Sequence, residues 1–405
     1  MPPKFGIGQA VTRKEDDALL RGAGRYVADH APDRVLHAYV LRSPHACARF
    51  RIGDVGRARA LPGVALILTG ANTAMFGNLP CQSEMPETAI QVPPYSILAR
   101  NEVRHVGDAI AFVVAATLDQ ARDAAEAIGI EWEPLPHVIG CMAALEPGAT
   151  PVWPEFHNNL AFETSLGDKR ATADVLAKAK RVVTLDVVNQ RLVANYIDTR
   201  GVIAEYDASR EHFTLTLSSQ GSHFVRDILC KDVLRIAPEK MRVITPDVGG
   251  GFGSKIFPYR EYALAAIAAR ALKRPVKWIA ERTEHFVADT HGRDNVARAR
   301  LALDDEGQFL ALEIDLVADM GAYLSPFGPI IPFLGAALAP GLYNIPTCHI
   351  RVRGAFTHTV PVDAYRGAGR PEAAYLIERL VDVAARDIGI EPEILRRRKI
   401  GRAHV

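Results

Sequence analysis

The segment from Val243 to Lys255 constrains the fold more than any other part of the sequence. It reads Val-Ile-Thr-Pro-Asp-Val-Gly-Gly-Gly-Phe-Gly-Ser-Lys, with glycines at 249, 250, 251 and 253. A strand is predicted before this loop, at Met241–Thr245, and a helix after it, from about Pro258 to Leu272. Glycines let a backbone approach a ligand, and successive free N–H groups beside a helix N-terminus attract anions. The segment therefore predicts a strand–loop–helix unit that can hold an anionic group.

Two familiar phosphate-binding loops do not match this segment. A Walker loop needs glycine directly before its lysine, but Ser254 precedes Lys255. The dinucleotide pattern G-x-G-x-x-G fails from each possible starting glycine, because its required positions fall on Ser254, Phe252 or Ile256. The segment is therefore neither a P-loop nor a Rossmann fingerprint. A glycine turn that serves only tight strand-to-helix packing remains the alternative.

A second loop, at 363–370, combines arginines with glycines just before a well-signalled helix. Arg366 and Arg370 flank two of these glycines, so a planar cation stands beside exposed backbone N–H groups. That arrangement suits an oxyanion or a metal-oxo group. For Arg366 we predict a functional role. For Arg370 we expect an ion pair with a nearby carboxylate, Glu372 or Glu378.

The composition excludes several classes of function. A formal charge of +1 argues against electrostatic binding to nucleic acid or to an acidic membrane. No stretch approaches the roughly eighteen apolar residues of a membrane helix, and no secretory signal is expected in the charged N-terminal region. The five cysteines lie far apart and are odd in number, so we expect neither a disulfide framework nor a metal cluster. A cytoplasmic protein is predicted.

A chain of 405 residues is long enough for two or three domains. We expect an α+β domain at 1–140, a connection rich in Pro, Gly and Asn at 141–170, a second domain at 171–399 and a non-native tail at 400–405. Apolar periodicity predicts further strands and helices along the chain. The strands are at 35–41, 109–115, 181–189, 201–206 and 213–219, and the helices at 118–128 and from 371 to just before Gly389.

Five segments of the sequence resemble the large subunit of the xanthine dehydrogenase / aldehyde oxidase family of molybdenum hydroxylases. They occur in the family's order and separation, and the resemblance covers residues 6 to about 399. It implies an α+β fold, in which an α/β hammerhead domain is followed by the first molybdenum-cofactor-binding domain. The five segments are GAGRYVADH at 22–30, RSPHACARF at 42–50, QGSH at 220–223, GGGFGSK at 249–255 and AYRGAGRPEA at 364–373.

The resemblance also implies which residues line the cofactor. Gln220 matches the family glutamine that hydrogen-bonds an oxo ligand of molybdenum, and Arg366 matches the arginine that lines the metal pocket. The other cofactor-binding residues approach the metal or shape the space beside it. They are Gly250, Gly251, Phe252, Gly253, Gly367 and Ala368. No protein ligand to the metal is expected in this chain, and the catalytic base of the family, a glutamate, is expected in a C-terminal half beyond these residues.

Three departures from the family's patterns bear on the substrate. Gly367 stands where carbon-monoxide-oxidising members have a cysteine, which argues against CO oxidation. Ile256 and Ala368 stand where purine-oxidising members have a glutamate and a phenylalanine, which favours an aldehyde or a different heterocycle. Asp198 stands where many members have glutamate, so the contact made by that acid is left open.

The implied function is that of a molybdenum hydroxylase which oxidises aldehydes or aromatic heterocycles with water-derived oxygen, this chain being the N-terminal part of its large subunit. The cofactor would be a molybdenum-pterin in the cytosine dinucleotide form. Electrons would leave through an iron–sulfur subunit and an FAD subunit, because the cysteines here lack the spacing that holds a cluster. The chain alone is expected to be inactive. The alternative is a non-catalytic cofactor-docking or assembly module.

The remaining polar residues near the two loops are given structural roles. Four acids are expected as helix caps or surface charges, because most acids are solvated. They are Asp247, Glu261, Asp363 and Glu372. Three histidines are expected as core or surface residues, because they lack the paired spacing of metal ligands. They are His223, His285 and His291.

Overall fold

The computed structural model describes Gly8 and residues 10–400, except the side chain of His157. Most of the tail predicted at 400–405 therefore lies outside the described residues. Only Ile400 of that tail is described, and it forms an isolated antiparallel bridge with Tyr343. No helix of the described part of the chain is long and apolar enough to cross a membrane.

The described residues form fifteen strands and twelve α-helices. The strands are β1 Leu36–Arg42, β2 Ala48–Ile52, β3 Val64–Thr69, β4 Glu102–Val103, β5 Ala109–Ala115, β6 Ile130–Pro134, β7 Leu160–Gly167, β8 Arg181–Asn189, β9 Gly201–Asp207, β10 His212–Leu217, β11 Met241–Ile244, β12 Val276–Ile279, β13 Asn295–Leu303, β14 Phe309–Gly321 and β15 Thr347–Phe356. The helices are α1 Asp16–Leu20, α2 Gly56–Arg59, α3 Gly70–Thr73, α4 Leu118–Glu126, α5 Cys141–Ala144, α6 Lys169–Lys178, α7 Ser222–Ile228, α8 Arg260–Leu272, α9 Arg282–Ala288, α10 Ile330–Leu338, α11 Arg370–Asp387 and α12 Pro392–Lys399.

The largest sheet combines strands from the N-terminal region with strands from the middle of the chain. Its seven strands run β11-β10-β9-β12-β1-β5-β3. Strand β1 lies parallel to β12, with Leu36 opposite Val276, and antiparallel to β5. Three strands come from the first 115 residues and four from beyond residue 200, so both regions share one sheet and one apolar core. The glycine loop between β11 and α8 is thus anchored on a sheet that includes the N-terminal region.

A second sheet supports the arginine–glycine loop. Its five strands run β7-β15-β14-β13-β8, and β14 and β15 are parallel neighbours. Helix α11 packs against the apolar core on this sheet through Ile377, Leu380, Val381 and Ala384, all of them buried. Apolar residues at this spacing lie on one face of a helix, and the charged residues lie on the other. A third sheet, β4-β2-β6, completes the N-terminal region.

Most of the predicted elements are present. The strands predicted at 109–115 and 181–189 have these bounds, and the others differ by one or two residues at their ends. The helix predicted at 118–128 ends at Glu126, and the helix after the glycine loop begins at Arg260, preceded by a 3-10 turn at Ser254–Ile256. The C-terminal helix begins at Arg370 and ends at Asp387. Runs and periods of apolar residues predicted these elements, because some bury one face and others, such as β5, are buried on both.

The segment predicted as a connection, 141–170, is more ordered than expected. Its last part forms β7, which pairs antiparallel with β15 and so belongs to the second sheet. Val152 and Trp153 are buried, and the Trp153 indole N–H donates to the carbonyl oxygen of Ala322 at 2.7 Å. The sequence analysis missed these contacts because the segment is rich in proline and glycine, and composition does not show which apolar residues of a loop are buried. The domain bounds 1–140 and 171–399 stay predictions.

Candidate cofactor-binding site

The glycine loop leaves β11 and turns sharply before α8. Gly250 and Gly253 have φ angles of 98° and 109°, and Phe252 has a φ of 49°. A side chain at φ > 0 is uncommon and costs energy unless the surroundings hold it there. The turn leaves the Phe252 ring 40% exposed on the outer side of the loop.

Gln220 is held in place by the backbone of this loop. Its Oε1 atom accepts the N–H groups of Gly253 at 2.9 Å and Lys255 at 3.3 Å, while its own backbone N–H donates to the carbonyl oxygen of Lys255. Because both neighbours are donors, the oxygen and not the nitrogen of the amide must face them. The Nε2 donor is therefore the part of the amide left for a ligand, and the Gln220 side chain is exposed.

Three successive backbone N–H groups of the loop are also available. Those of Gly250, Gly251 and Phe252 have no hydrogen-bond partner within the described residues. A side chain in place of Gly251 would collide with the Gln220 amide. The loop and Gln220 therefore form a close-fitting set of hydrogen-bond donors, of the kind that accepts an anionic or metal-oxo group.

A buried ion pair fixes the base of the loop. The Lys255 ammonium, 1% exposed, contacts Asp198 Oδ2 at 2.8 Å and Ser218 Oγ at 2.7 Å. The same Asp198 oxygen accepts the backbone N–H of Gly249 at 3.2 Å. Burial lowers the pKa of Lys255, and its hydrogen bond to Asp198 opposes that shift. The shorter acid at 198 therefore keeps a contact with the glycine loop.

The two loops meet directly. The backbone N–H of Arg366 donates to the carbonyl oxygen of Phe252 at 2.9 Å. A side chain in place of Gly253 would collide with the carbonyl oxygen of Ala364, so the chains pass each other at backbone contact. The Arg366 guanidinium lies 6.0 Å from the centre of the Phe252 ring. Segments far apart in the sequence thus form one continuous wall.

The arginine–glycine loop presents its own donors on this wall. The Arg366 side chain is exposed, and its guanidinium has no hydrogen-bond partner among the described residues. Gly367, Ala368 and Gly369 all have positive φ angles, at 99°, 46° and 90°. At Gly367 a side chain would also strike the Pro371 ring, so glycine is needed there for conformation and for space.

Ile256, one of the positions used to predict the substrate, has a different setting. It lies in the 3-10 turn, half-buried, and its side chain packs against the apolar core of the first sheet. Ala368 lies in the arginine–glycine loop beside the exposed Arg366. Ile256 therefore faces the core, whereas Ala368 lies two residues from Arg366 in the loop that forms the wall.

The expected ion pair of Arg370 is wrong. Glu372 pairs with Arg293 at 2.9 Å, and Glu378 pairs with Arg396 at 2.6 Å. Both carboxylates are therefore engaged by arginines that are distant from them in the sequence. Arg370 is exposed and makes only a 3.3 Å hydrogen bond to the carbonyl oxygen of Gly367.

The expectation of caps and surface charges is correct for one of the four acids. Asp247 lies near the surface and accepts the backbone N–H of Arg25 at 2.7 Å. Asp363 is wrongly predicted, because it is buried and accepts the N–H groups of Phe327 and Ala364, neither of which begins a helix; burial raises its pKa to about 6. Glu261 and Glu372 are also wrongly predicted, because they are buried in ion pairs.

A buried charge network beneath the glycine loop could not be read from the sequence. Arg200, fully buried, contacts Glu261 at 3.1 Å and Asp289 at 2.6 Å. Glu261 also contacts Arg42 of β1, so the network links the N-terminal region to α8. Burial opposes the charge on Glu261, but Arg200 and Arg42 outweigh it and lower the pKa of Glu261 to about 2. Paired charges of this kind can remain buried.

The three histidines behave as predicted. His285 is fully buried beside Asp289, and burial lowers the pKa of its ring to about 4. His291 bonds to the carbonyl oxygen of Phe286, and His223 is exposed. Within the part of the chain that the structure describes, no three His, Cys, Asp or Glu side chains are placed to hold a metal ion together.

The site thus presents backbone N–H groups, one amide and one guanidinium on one wall, a set of donors that fits an anionic or metal-oxo group. Comparison with known families agrees. Residues 21–136 match the aldehyde oxidase and xanthine dehydrogenase a/b hammerhead domain, and residues 152–400 match the molybdopterin cofactor-binding domain. The chain belongs to the xanthine dehydrogenase / aldehyde oxidase family of molybdenum hydroxylase large subunits.

Individual relatives give the same result. The chain is 34% identical to the carbon monoxide dehydrogenase large chain of Hydrogenophaga pseudoflava, over 96% of this chain and 50% of that one. It is 31% identical to the nicotine 6-hydroxylase large subunit of Paenarthrobacter nicotinovorans, over 98% and 48%. The structure of quinoline 2-oxidoreductase from Pseudomonas putida 86 matches with a TM-score of 0.91 and 36% identity, over 97% and 50%. The chain spans about half the length of these relatives.

Proposed function

We propose that this chain supplies the first cofactor-binding part of a molybdenum hydroxylase large subunit that oxidises aldehydes or aromatic nitrogen heterocycles. The observation that carries the proposal is the shared wall, on which Gln220 Nε2, the free N–H groups of the glycine loop and the Arg366 guanidinium are all unpaired within the described structure. Donors left unpaired at one place are the expected form of a site for a charged cofactor.

The residues of the wall fit the molybdenum-pterin of the family. When bound, that cofactor supplies the redox chemistry by which an electron-poor carbon gains an oxygen derived from water. Gln220 would donate one hydrogen bond to it, with the amide orientation fixed by Gly253 and Lys255. Gly250, Gly251 and Phe252 would donate backbone N–H groups. Arg366 would place a positive charge beside the reacting group, and its exposure leaves it free to reach that group.

The substrate class rests on the small residues of the arginine–glycine loop. Gly367 replaces the cysteine of carbon-monoxide-oxidising members, so CO is not proposed, even though two carbon monoxide dehydrogenase large chains are among the relatives. Ala368 leaves space beside Arg366 in place of the phenylalanine of purine-oxidising members. Relatives named for nicotine and quinoline suit a flat nitrogen heterocycle as the leading candidate.

We propose further that the pterin is the cytosine dinucleotide form, that an iron–sulfur subunit and an FAD subunit accept the electrons, and that the complex works in the cytoplasm. The five cysteines of the chain support separate electron carriers, because they are isolated free thiols and three of them are buried. Relatives named as large chains and complex subunits are consistent with an assembly of several polypeptides.

The test is metal and pterin analysis of the complex as isolated, followed by assays with aldehydes, nicotine-like and quinoline-like heterocycles, and xanthine. We expect molybdenum in proportion to the chain, turnover of an aldehyde or heterocycle, and little turnover of xanthine. Gln220→Leu should lose molybdenum, whereas the exposed control Gln308→Leu should keep it. A complex that folds but retains no molybdenum would contradict the proposal, and efficient xanthine oxidation would show that Ala368 misleads about the substrate.

A second candidate function is a cofactor-docking module without catalysis of its own. One observation favours it: the nicotinate dehydrogenase large molybdopterin subunit of Eubacterium barkeri is 26% identical over 95% of this chain and 87% of that one, so the two are similar in length. The discriminating measurement is turnover by the complex as isolated, with its molybdenum content determined in the same preparation. Turnover of an aldehyde or heterocycle would exclude the docking module, whereas molybdenum retained in the complex without turnover of any substrate would support it.

A further inference from the structure

A strained turn lies behind the arginine–glycine loop. Arg293 and Asp294, just before β13, both have left-handed backbones, with φ angles of 64° and 63°. Two consecutive residues with side chains in this conformation are uncommon, and such strain persists only where surrounding contacts hold it. Asp294 is held by Arg191 through a 2.5 Å ion pair. Arg293 makes a different set of contacts, all with the arginine–glycine loop and the start of α11.

The Arg293 side chain bridges two parts of the arginine–glycine loop. Its Nη1 atom donates to Glu372 Oε1 at 2.9 Å, at the start of α11, and its Nη2 atom donates to the backbone carbonyl oxygen of Arg366 at 2.8 Å. The guanidinium also lies 4.8 Å from the centre of the Tyr365 ring. Side-chain exposure is only 11% for Arg293 and 6% for Glu372, so the pair is shielded from solvent.

The residues before Arg293 follow the same loop closely. The carbonyl oxygen of His291 accepts the backbone N–H of Asp363 at 2.9 Å. A side chain in place of Gly292 would collide with Tyr365, which shows how closely the two segments approach. The turn therefore contacts the arginine–glycine loop from Asp363 to Glu372.

These contacts hold the Arg366 peptide from both sides. Its N–H donates to Phe252 in the glycine loop, and its C=O accepts from Arg293. The Arg366 side chain, by contrast, has no partner within the described residues. We propose that Arg293 is a positioning residue that sets where the Arg366 guanidinium stands in the pocket, an assignment that rests on the function proposed above. Arg293 acts through Arg366 and does not itself line the wall.

Arginine is the residue type that this task requires. Its planar fork makes two hydrogen bonds in fixed directions and stacks on an aromatic ring, whereas a lysine ammonium supplies the same charge without the fixed geometry. An Arg293→Lys variant should therefore keep the ion pair with Glu372 and lose the fixed position of the Arg366 carbonyl. That variant separates positioning from simple charge pairing, and it is less disruptive to folding than Arg293→Ala.

The first measurement needs no cofactor. Hydrogen–deuterium exchange of the peptide spanning 361–370 is compared in the complex as isolated and in the Arg293→Ala and Arg293→Lys variants. We expect exchange there to become about tenfold faster, because the Arg366 N–H bond to Phe252 opens more often. Arg298→Ala, which removes an exposed ion pair between Arg298 of β13 and Asp186 of β8, is the matched control and should leave this peptide unchanged. Unchanged exchange in both Arg293 variants would overturn the proposal.

The second measurement is a double-mutant cycle in the active complex. Arg293→Lys should lower kcat by about tenfold with little change in KM, and it should cost no further activity in an Arg366→Ala background. An equal loss in both backgrounds would show a merely structural role and overturn the proposal. The exchange experiment does not depend on bound cofactor. A complex without molybdenum would therefore contradict the proposed function, but the exchange rates would still test the positioning role of Arg293.

Discussion

The wall has two halves, the glycine loop with Gln220 and the arginine–glycine loop with Arg366, and they are built in different ways. The glycine loop is held by side-chain contacts: the buried Lys255 and its partner Asp198 fix its base, and Gln220 accepts two of its backbone N–H groups. The arginine–glycine loop carries an exposed guanidinium with no partner in the described part of the chain, and it is held through its backbone, between Phe252 and Arg293. The first half offers fixed backbone donors, and the second offers a charge on a long side chain.

This difference indicates how the two halves would contribute. Donors that are fixed in position cost no reorganisation when a charged group binds, so the glycine loop suits cofactor retention. A guanidinium on a flexible stem has to be ordered, and we propose that Arg366 acts on the charge that develops during reaction. Changes in the glycine half should therefore lower stability or cofactor content, and changes at Arg366 should lower rate. The following predictions are ordered from the largest expected free-energy effect to the smallest.

Lys255→Met tests whether buried side chains hold the glycine half. Removing the ammonium leaves Asp198 without its charged partner, and breaking a buried pair costs about 4 kcal/mol. We expect the urea unfolding midpoint of this region to fall accordingly. Lys240→Met is the matched control, because Lys240 pairs with Glu211 on the surface. If the unfolding midpoint of Lys255→Met fell no further than that of the control, the buried ion pair would not be what holds the glycine half.

Glu261→Gln tests the network beneath the glycine half through its pH dependence. The folded pKa of about 2 lies below the ordinary value of 4.5, so the charged carboxylate stabilises the fold above pH 4.5, and that stability is lost as pH falls toward 2. At pH 7 the variant should lose about 3 kcal/mol. The difference from the unmodified protein should narrow between pH 4.5 and 2 in urea titrations. A difference independent of pH would contradict the assignment, and the exposed Glu131→Gln serves as control.

Arg366→Ala tests the other half. The side chain is exposed and unpaired within the described structure, so stability should change by less than about 0.5 kcal/mol. The value of kcat should fall by about 100-fold, as for loss of a positioned charge-stabilising donor. Steady-state kinetics with the best substrate of the panel, together with a urea titration, measure both. Arg370→Ala, in the same loop, is the control. An unchanged kcat with lower stability would mean that Arg366 contributes to the fold and not to the rate.

Gly253→Ala tests the line where the halves touch. The added methyl group would meet the Ala364 carbonyl at a residue with a φ of 109°. We expect the loops to separate slightly and molybdenum retention to fall by about tenfold, the scale seen when residues that support a metal site are changed. Metal analysis after dialysis measures this. Gly148→Ala, at a φ of 83° with open space around it, should leave metal content unaltered. Equal losses in both would implicate backbone strain alone.

The sequence predicted the elements around the site well, and their contacts less well. The strand before Gly249 and the helices after each loop follow from apolar spacing and from the proline at 371, which are local properties. The partners of Glu261 and Glu372 were missed, because Arg42 and Arg293 lie far from them in the sequence. Nothing in the sequence near Arg370 shows that both nearby carboxylates are already engaged.

By itself the sequence determined the two loops, their glycines and their order, because positive φ angles and close approach of backbones require glycine at particular positions. The residues proposed to contact the cofactor, Gln220 and Arg366 among them, were also identified from the sequence. Only the tertiary structure brought Phe252 against Arg366 and placed the strained Arg293 turn behind them. Such contacts depend on how two sheets pack together, and packing joins residues whose sequence separation carries no local signal.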